Sequence, residues 1–197
     1  MLKKIVIIGP ESTGKSTLCQ QLAVEFNTIW CTEYAREYLL EHGTTYSFDD
    51  LLTIAKGQLE QEKRFERIVL GQGDLNQIEP INSATNKIPA PGLLFIDTDQ
   101  YVMKVWCEFV FNQCHTWILN RIAERPYDLY LLCNIDLPWI KDDLREYPDE
   151  GPRIRLYHMY KDLLVNQSVP WFDISGNYDE RFSKAKSAVQ NQFYGVY

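Results

Sequence analysis

Five short apolar runs punctuate the chain, separated by longer segments with helical spacing. The first, KKIVIIG (3–9), has no polar residue between Ile5 and Ile8, the pattern of a strand covered on both faces. The others are NTIWCTE (27–33), LLFIDTD (93–99), YDLYLLCN (127–134) and PWFDIS (170–175). KSTLCQQLAVEF (15–26) reads as an amphipathic helix, and YAREYLLEHG (34–43) as a second one stopped by Gly43. The run 47–72 predicts one long helix with Ser47 as N-cap and Asp50 three residues on. Helical stretches continue from Tyr101 to Arg125, where Pro126 breaks the run, and a helical pair is expected over roughly 136–167. A last helix spans 177–193, with Asn177 as cap and Glu180 at the third position. Strands alternating with helices predict an α/β fold: a five-stranded parallel sheet sandwiched by helices.

Residues 71–92 break this alternation. They are polar, carry three prolines and show no periodicity. Structureless loops of such length tend to be functional or disordered. A mobile surface insertion is expected, with a substrate flap or a partner contact as the alternative. No internal repeat or second domain shows, so residues 1–197 read as one domain.

The turn after the first strand carries the most specific chemistry. Gly9 is followed by Gly14, Lys15 and Ser16 in the spacing Gly-x-x-x-x-Gly-Lys-Ser, between a buried strand and a helix. This is the P-loop pattern, in which the chain wraps phosphates with its own N–H groups and presents them to a helix N-terminus. Gly9, Glu11, Ser12, Thr13, Gly14, Lys15, Ser16 and Thr17 are therefore expected to form the nucleotide site. Lys15 should reach the β- and γ-phosphates, and the Ser16 hydroxyl should ligate Mg²⁺. Together with the strand order this makes the expected fold a P-loop NTPase of nucleoside/nucleotide kinase type.

Composition narrows the partners. A net charge of −7 on 197 residues argues against nucleic-acid binding, which usually needs a basic face. No run approaches membrane-spanning length, and the apolar start is too short for a signal peptide and ends in the phosphate loop. Cys19, Cys31, Cys107, Cys114 and Cys133 form no C-x-x-C pair. Buried thiols in a reduced, cytoplasmic protein are the reading preferred over a metal site.

P-loop proteins also include switches and motors. A GTPase would need Asn-Lys-x-Asp after a late strand, whereas LLCNIDLPW offers Asn134 and Asp136 without the lysine. An AAA-type motor or helicase is normally longer and carries motifs not found here. The acid expected to hold Mg²⁺ at a strand end is Asp97, with a helix N-cap as its alternative role. Asp99 lies two residues on, on the same face of the strand, and either joins Asp97 in the pocket or caps the helix that begins at Tyr101. Glu33, Tyr34 and Arg36 follow the second strand, where an acceptor would approach, unless they are merely a solvated helix start. Residues 136–155, with Arg145, Arg153 and Arg155 among prolines, suggest a lid over the transferred phosphate, a surface charge cluster being the alternative. Either Glu33 or Asp97 is the candidate proton acceptor. Tyr34, Tyr101, Trp106 and Trp139 are candidates to stack on a flat base. His42, His115 and His158 are isolated, and packing or surface roles are expected.

GPESTGKST, TEYARE, IAKGQ, LFIDTD, YDLYLL with the following D-PW and DDLR, and ISGNYDERFSKA together resemble the ribosylnicotinamide kinase domain of NadR-type NAD-biosynthesis proteins. The resemblance runs over about residues 3–190. It implies ATP and Mg²⁺ as cofactors and transfer of the γ-phosphate to the 5′-hydroxyl of nicotinamide riboside, giving nicotinamide mononucleotide. It places Lys15, Ser16 and Thr17 at ATP–Mg²⁺, Asp97 at the metal, and Glu33 to Arg36 on the riboside. It also places Trp139 with Arg145 on the lid, and Ser175 to Tyr178 where related kinases hold adenine. The chain leaves no room for the adenylyltransferase or helix-turn-helix parts of such proteins and has no H-x-G-H motif. Kinase chemistry alone is the expectation; a kinase for another nucleoside and a non-catalytic ATP- or NAD-sensing regulator stay open.

Overall fold

A computed structural model describes residues 1–74, 92–124 and 127–195. The sheet has five strands, β1 (Lys3–Ile8), β2 (Trp30–Cys31), β3 (Leu93–Asp97), β4 (Leu129–Cys133) and β5 (Trp171–Ile174), all paired in parallel in the order β2-β3-β1-β4-β5. Seven helices are described: α1 (Lys15–Glu25), α2 (Tyr34–His42), α3 (Phe48–Val69), α4 (Gln100–Phe111), α5 (Thr116–Glu124), α6 (Glu150–Val165) and α7 (Tyr178–Tyr194).

The uninterrupted apolar runs have a simple cause. In β1, Val6 and Ile8 enter one core with α3, α4 and α6, while Ile5 and Ile7 enter the opposite core with α1 and α7. β3 and β4 divide in the same way, so both faces of each central strand are buried. A third cluster joins α2, α3, α4 and α5 around Leu51, Ile54, Met103 and Ile118.

β1 lies between β3 and β4; the connection after β1 runs to the β2 side and the one after β4 to the β5 side, which opens a crevice at the carboxyl ends of these strands. The register sets Ile7 beside Asp97, so the turn after β1 and the acid ending β3 are neighbours.

Two expected elements differ. The strand expected over 27–33 pairs with β3 only at Trp30 and Cys31. Beyond it, side chains of α3 replace the sheet ladder: Gln61 Nε2 donates to the Thr32 carbonyl at 2.6 Å, and Gln58 Oε1 accepts from the Tyr34 amide at 2.8 Å. The helical pair expected over 136–167 is a single helix, α6, preceded by fourteen residues without regular structure. Pro138 and Pro148 bracket that stretch, and its polar groups bond to other parts of the chain rather than to one another along a helix. The capping boxes at Ser47/Asp50 and Asn177/Glu180 are present as the sequence indicates. Nearly all of the loop expected over 71–92 lies outside the described residues, as does Pro126.

Candidate active site

The turn after β1 is shaped for an anion. Gly9 has φ +144°, and a Cβ there would stand 2.7 Å from the Cys133 carbonyl oxygen of the adjacent strand, so no side chain fits without moving β4. Gly14 adopts φ +79° at the start of α1 and packs against Leu137 and Tyr178. No side chain caps α1, and its first turn contains no acid. Its leading N–H groups and positive dipole end therefore stand ready for negative charge. Inside the turn, Thr13 Oγ1 and Lys15 Nζ both donate to the Pro10 carbonyl, at 2.7 and 3.0 Å.

Asp97 faces this turn from the end of β3. Its Oδ2 accepts from Ser16 Oγ at 2.5 Å, while its Oδ1 is buried with no protein partner. Burial, and then the negative charge of Glu33, push its pKa up to about 7 against the pull of Lys15 and Ser16. A hard dication at this point would meet a carboxylate oxygen lacking any other ligand and a neighbouring hydroxyl, so the donor set fits Mg²⁺.

The chain turns sharply just past Asp97. Thr98, a β-branched residue, has φ +78°, a sparsely populated conformation for its type. This turn corrects the expectation that Asp97 and Asp99 share a face. Strand alternation stops at Asp97, and Asp99 becomes the N-cap of α4. It accepts from the Tyr101 and Val102 amides at 3.0 and 3.3 Å and from the Tyr130 hydroxyl at 2.8 Å. Its burial pushes its pKa up to about 7. Asp99 does not line the cavity.

A cavity of about 450 Å³ extends from the phosphate turn. Glu33 and Arg36 reach it from the start of α2, and Thr98 Oγ1 donates to Glu33 at 3.4 Å. The irregular segment 136–149 closes the opposite side, held by the phosphate turn itself. Glu11 accepts from the Tyr147 amide at 2.5 Å, the Glu146 amide at 3.0 Å and Trp139 Nε1 at 3.3 Å. Ser12 Oγ accepts from the Ile140 amide at 2.8 Å and from Arg145 at 3.4 Å. Arg36 pairs with Asp142 at 3.0 Å.

The cavity thus gathers Gly9, Glu11 to Thr17, Glu33, Arg36, Asp97 and Arg145 from the expected residues. Tyr34, Trp139, Arg153 and Tyr178 lie outside its lining. The Tyr34 ring lies where a Cβ on Gly57 would be, which explains the glycine inside α3. Arg153 is buried, donating to the Ile135 and Leu137 carbonyls at 3.4 and 3.3 Å, and so ties α6 to the end of β4. Of the stacking candidates only Trp106 lines the cavity; Tyr101 packs against Tyr130. Sequence reasoning missed Phe109, Tyr147 and Tyr160 on the wall. Val102, Trp106 and Phe109 recur at helical spacing on α4, and that was the available signal.

A profile of the AAA domain family (AAA_28) matches residues 4–181. The chain belongs to this family. The trifunctional NAD biosynthesis/regulator protein NadR of Salmonella typhimurium is 27% identical over 190 residues, 96% of this chain and 42% of its own length. The same figures hold for NadR of Escherichia coli. The chain therefore spans less than half the length of the curated relatives it matches. A crystal structure of NadR in complex with NR superposes with a TM-score of 0.72 at 25% identity, covering all of this chain and 50% of that one. Thymidylate kinase from Ehrlichia chaffeensis shares the fold, with a TM-score of 0.63 at 15% identity over 95% of this chain and 98% of that one. Within the family the chain has the P-loop kinase architecture: a five-stranded parallel sheet with helices, like both neighbours. No helix among the described residues is long and apolar enough to cross a membrane.

Proposed function

We propose that this chain transfers the γ-phosphoryl group of ATP to the 5′-hydroxyl of nicotinamide riboside, giving nicotinamide mononucleotide in cytoplasmic NAD salvage. The observation that carries the reading is the continuity of one cavity from Lys15 and Asp97 to an aromatic wall on α4. The cavity's phosphate turn suits the anionic end of a donor, and its aromatic wall suits a flat-ringed acceptor. The similarity to NadR, one of whose structures is a complex with NR, supports this acceptor over other nucleosides.

In this mechanism the N–H groups opening α1 and the Lys15 ammonium hold the ATP phosphates. Asp97 and Ser16 would hold Mg²⁺, which supplies neutralisation of phosphate charge. Glu33, across from Asp97 and hydrogen-bonded by Thr98, orients the acceptor hydroxyl and takes its proton as the new O–P bond forms and the β–γ bridge bond breaks. Arg145 approaches from the irregular segment, whose contacts with Glu11 and Ser12 support a lid over residues 136–149, the remaining residues to 155 belonging to α6.

The test is ADP formation across a panel of nucleosides with Mg²⁺ present. Preference for nicotinamide riboside is expected. Greater turnover on another nucleoside overturns the acceptor assignment, and no nucleoside-dependent ADP at all favours a sensor.

A further inference from the structure

A carboxylate lining the cavity, that of Glu146, has no salt-bridge partner among the described residues. Glu146 Oε2 accepts from the Tyr46 hydroxyl at 3.0 Å, and that hydroxyl in turn accepts from Trp106 Nε1 at 2.7 Å. The Tyr46 and Trp106 rings meet edge to face at 4.9 Å, and Tyr147 and Phe109 do so at 5.3 Å. Glu146, Trp106, Phe109 and Tyr147 all line the cavity.

The basic groups nearby are committed elsewhere. Arg36 pairs with Asp142, Arg145 bonds to the Ile140 carbonyl at 2.5 Å and to Ser12, and Arg155 lies over the Phe109 ring at 5.1 Å. Among the described residues none forms a salt bridge with Glu146. Glu146 is an exposed residue at the cavity's edge, held by the Tyr46 hydroxyl beside aromatic rings. An acid so placed, without a salt-bridge partner among the described residues, favours a positively charged guest.

The position suits the far end of an acceptor. α4 begins three residues past Asp97, and Phe109 lies about 10 Å farther along its axis than Val102. Trp106 and Phe109 therefore line the cavity about one and two helical turns farther along α4 than Val102 does. Glu146 reaches the same region from the opposite wall, fixed through Tyr46.

We propose that Glu146, positioned by Tyr46 and flanked by Trp106 and Tyr147, makes this site selective for acceptors whose ring carries a positive charge. The inference rests on the riboside kinase reading and adds a charge criterion to it. The pyridinium ring of nicotinamide riboside meets that criterion; the ring of its dihydro form has nearly the same shape and no charge. Shape and stacking barely distinguish the two, whereas a carboxylate does.

The experiment measures kcat/KM for both acceptors in wild type, Glu146→Gln and Tyr46→Phe. Glutamine keeps an oxygen to accept from Tyr46 and removes only the charge. The wild-type ratio of cationic to neutral acceptor should fall about tenfold in Glu146→Gln. In Tyr46→Phe it should fall in the same direction by a smaller factor, since the carboxylate stays but loses its support. A ratio unchanged in Glu146→Gln overturns the proposal, whatever the absolute loss, because that loss would then reflect the shape of the segment. A wild type inactive on both acceptors overturns the riboside kinase reading itself, and the proposal with it.

Discussion

The two sides of the cavity are built by opposite means. The phosphate side is backbone: Gly9 pressed against β4, the open end of α1, and Asp97 held in register beside Ile7. The facing side, residues 136–149, has no regular structure and is attached through Glu11, Ser12, Tyr46, Arg36 and Arg181, with Leu144 and Tyr147 packed at the edges of the apolar clusters. The first is fixed by the same strands that form the core. The second depends on these few contacts, several of them exposed and individually weak. A kinase needs both qualities, a rigid cradle for the donor and a wall that opens for the acceptor.

That contrast predicts a graded series of effects. Lys15→Ala, on the rigid side, should lower turnover at least about 100-fold with little change in the thermal midpoint, because among the described residues its one hydrogen bond is to the Pro10 carbonyl. A variant that unfolds would show the lysine to be structural. Asp97→Asn should cost about as much in kcat and lose dependence on added Mg²⁺, with no loss of stability, since the native carboxyl is buried and destabilised by burial. A midpoint several degrees lower would contradict this.

On the facing side the losses should be smaller and of another kind. Arg145→Ala is expected to lower kcat about tenfold with a modest change in riboside KM, the signature of a contact strengthened in the transition state. A pure KM effect would make Arg145 a binding group only. Glu11→Gln weakens the acceptor of three donors from the segment. Limited proteolysis within 136–149 should then quicken a few-fold while the midpoint stays within a degree or so, and protection equal to wild type would show that the wall is held by something else.

The smallest effect lies outside the cavity, in the cap of α3. Tyr38 and Ser47 lower the pKa of Asp50 from 3.8 to about 2. A depressed carboxyl contributes stability that is present above its unfolded value and lost as pH falls through its folded one. The stability difference between wild type and Asp50→Asn should therefore be constant above about pH 5 and shrink between 3.8 and about 2. A difference that does not vary over that range would assign the cap no electrostatic part.

The same contrast governs what the sequence reveals. β1, β3 and β4 are legible because burial on both faces leaves no charged residue from Ile5 to Ile8, from Leu93 to Ile96 or from Leu129 to Cys133. The phosphate turn is legible because its residues are adjacent in the chain and each is required by local geometry. Asp99 was legible only as a choice between pocket and helix cap, and one left-handed residue, Thr98, turns it to the cap. Residues 136–149 read as helix, since their partners, Glu11, Ser12 and Tyr46, lie 100 or more positions away. Arg153 looked like a lid arginine for the same reason: only the folded chain brings the Ile135 and Leu137 carbonyls to it.

The central claim is a transfer, and it is tested by the balance of its products. Wild-type protein incubated with ATP, Mg²⁺ and nicotinamide riboside should yield ADP and nicotinamide mononucleotide in equal amounts, read by mass and by ³¹P resonance. ADP with free phosphate and unchanged riboside, or no ADP at all, would contradict it.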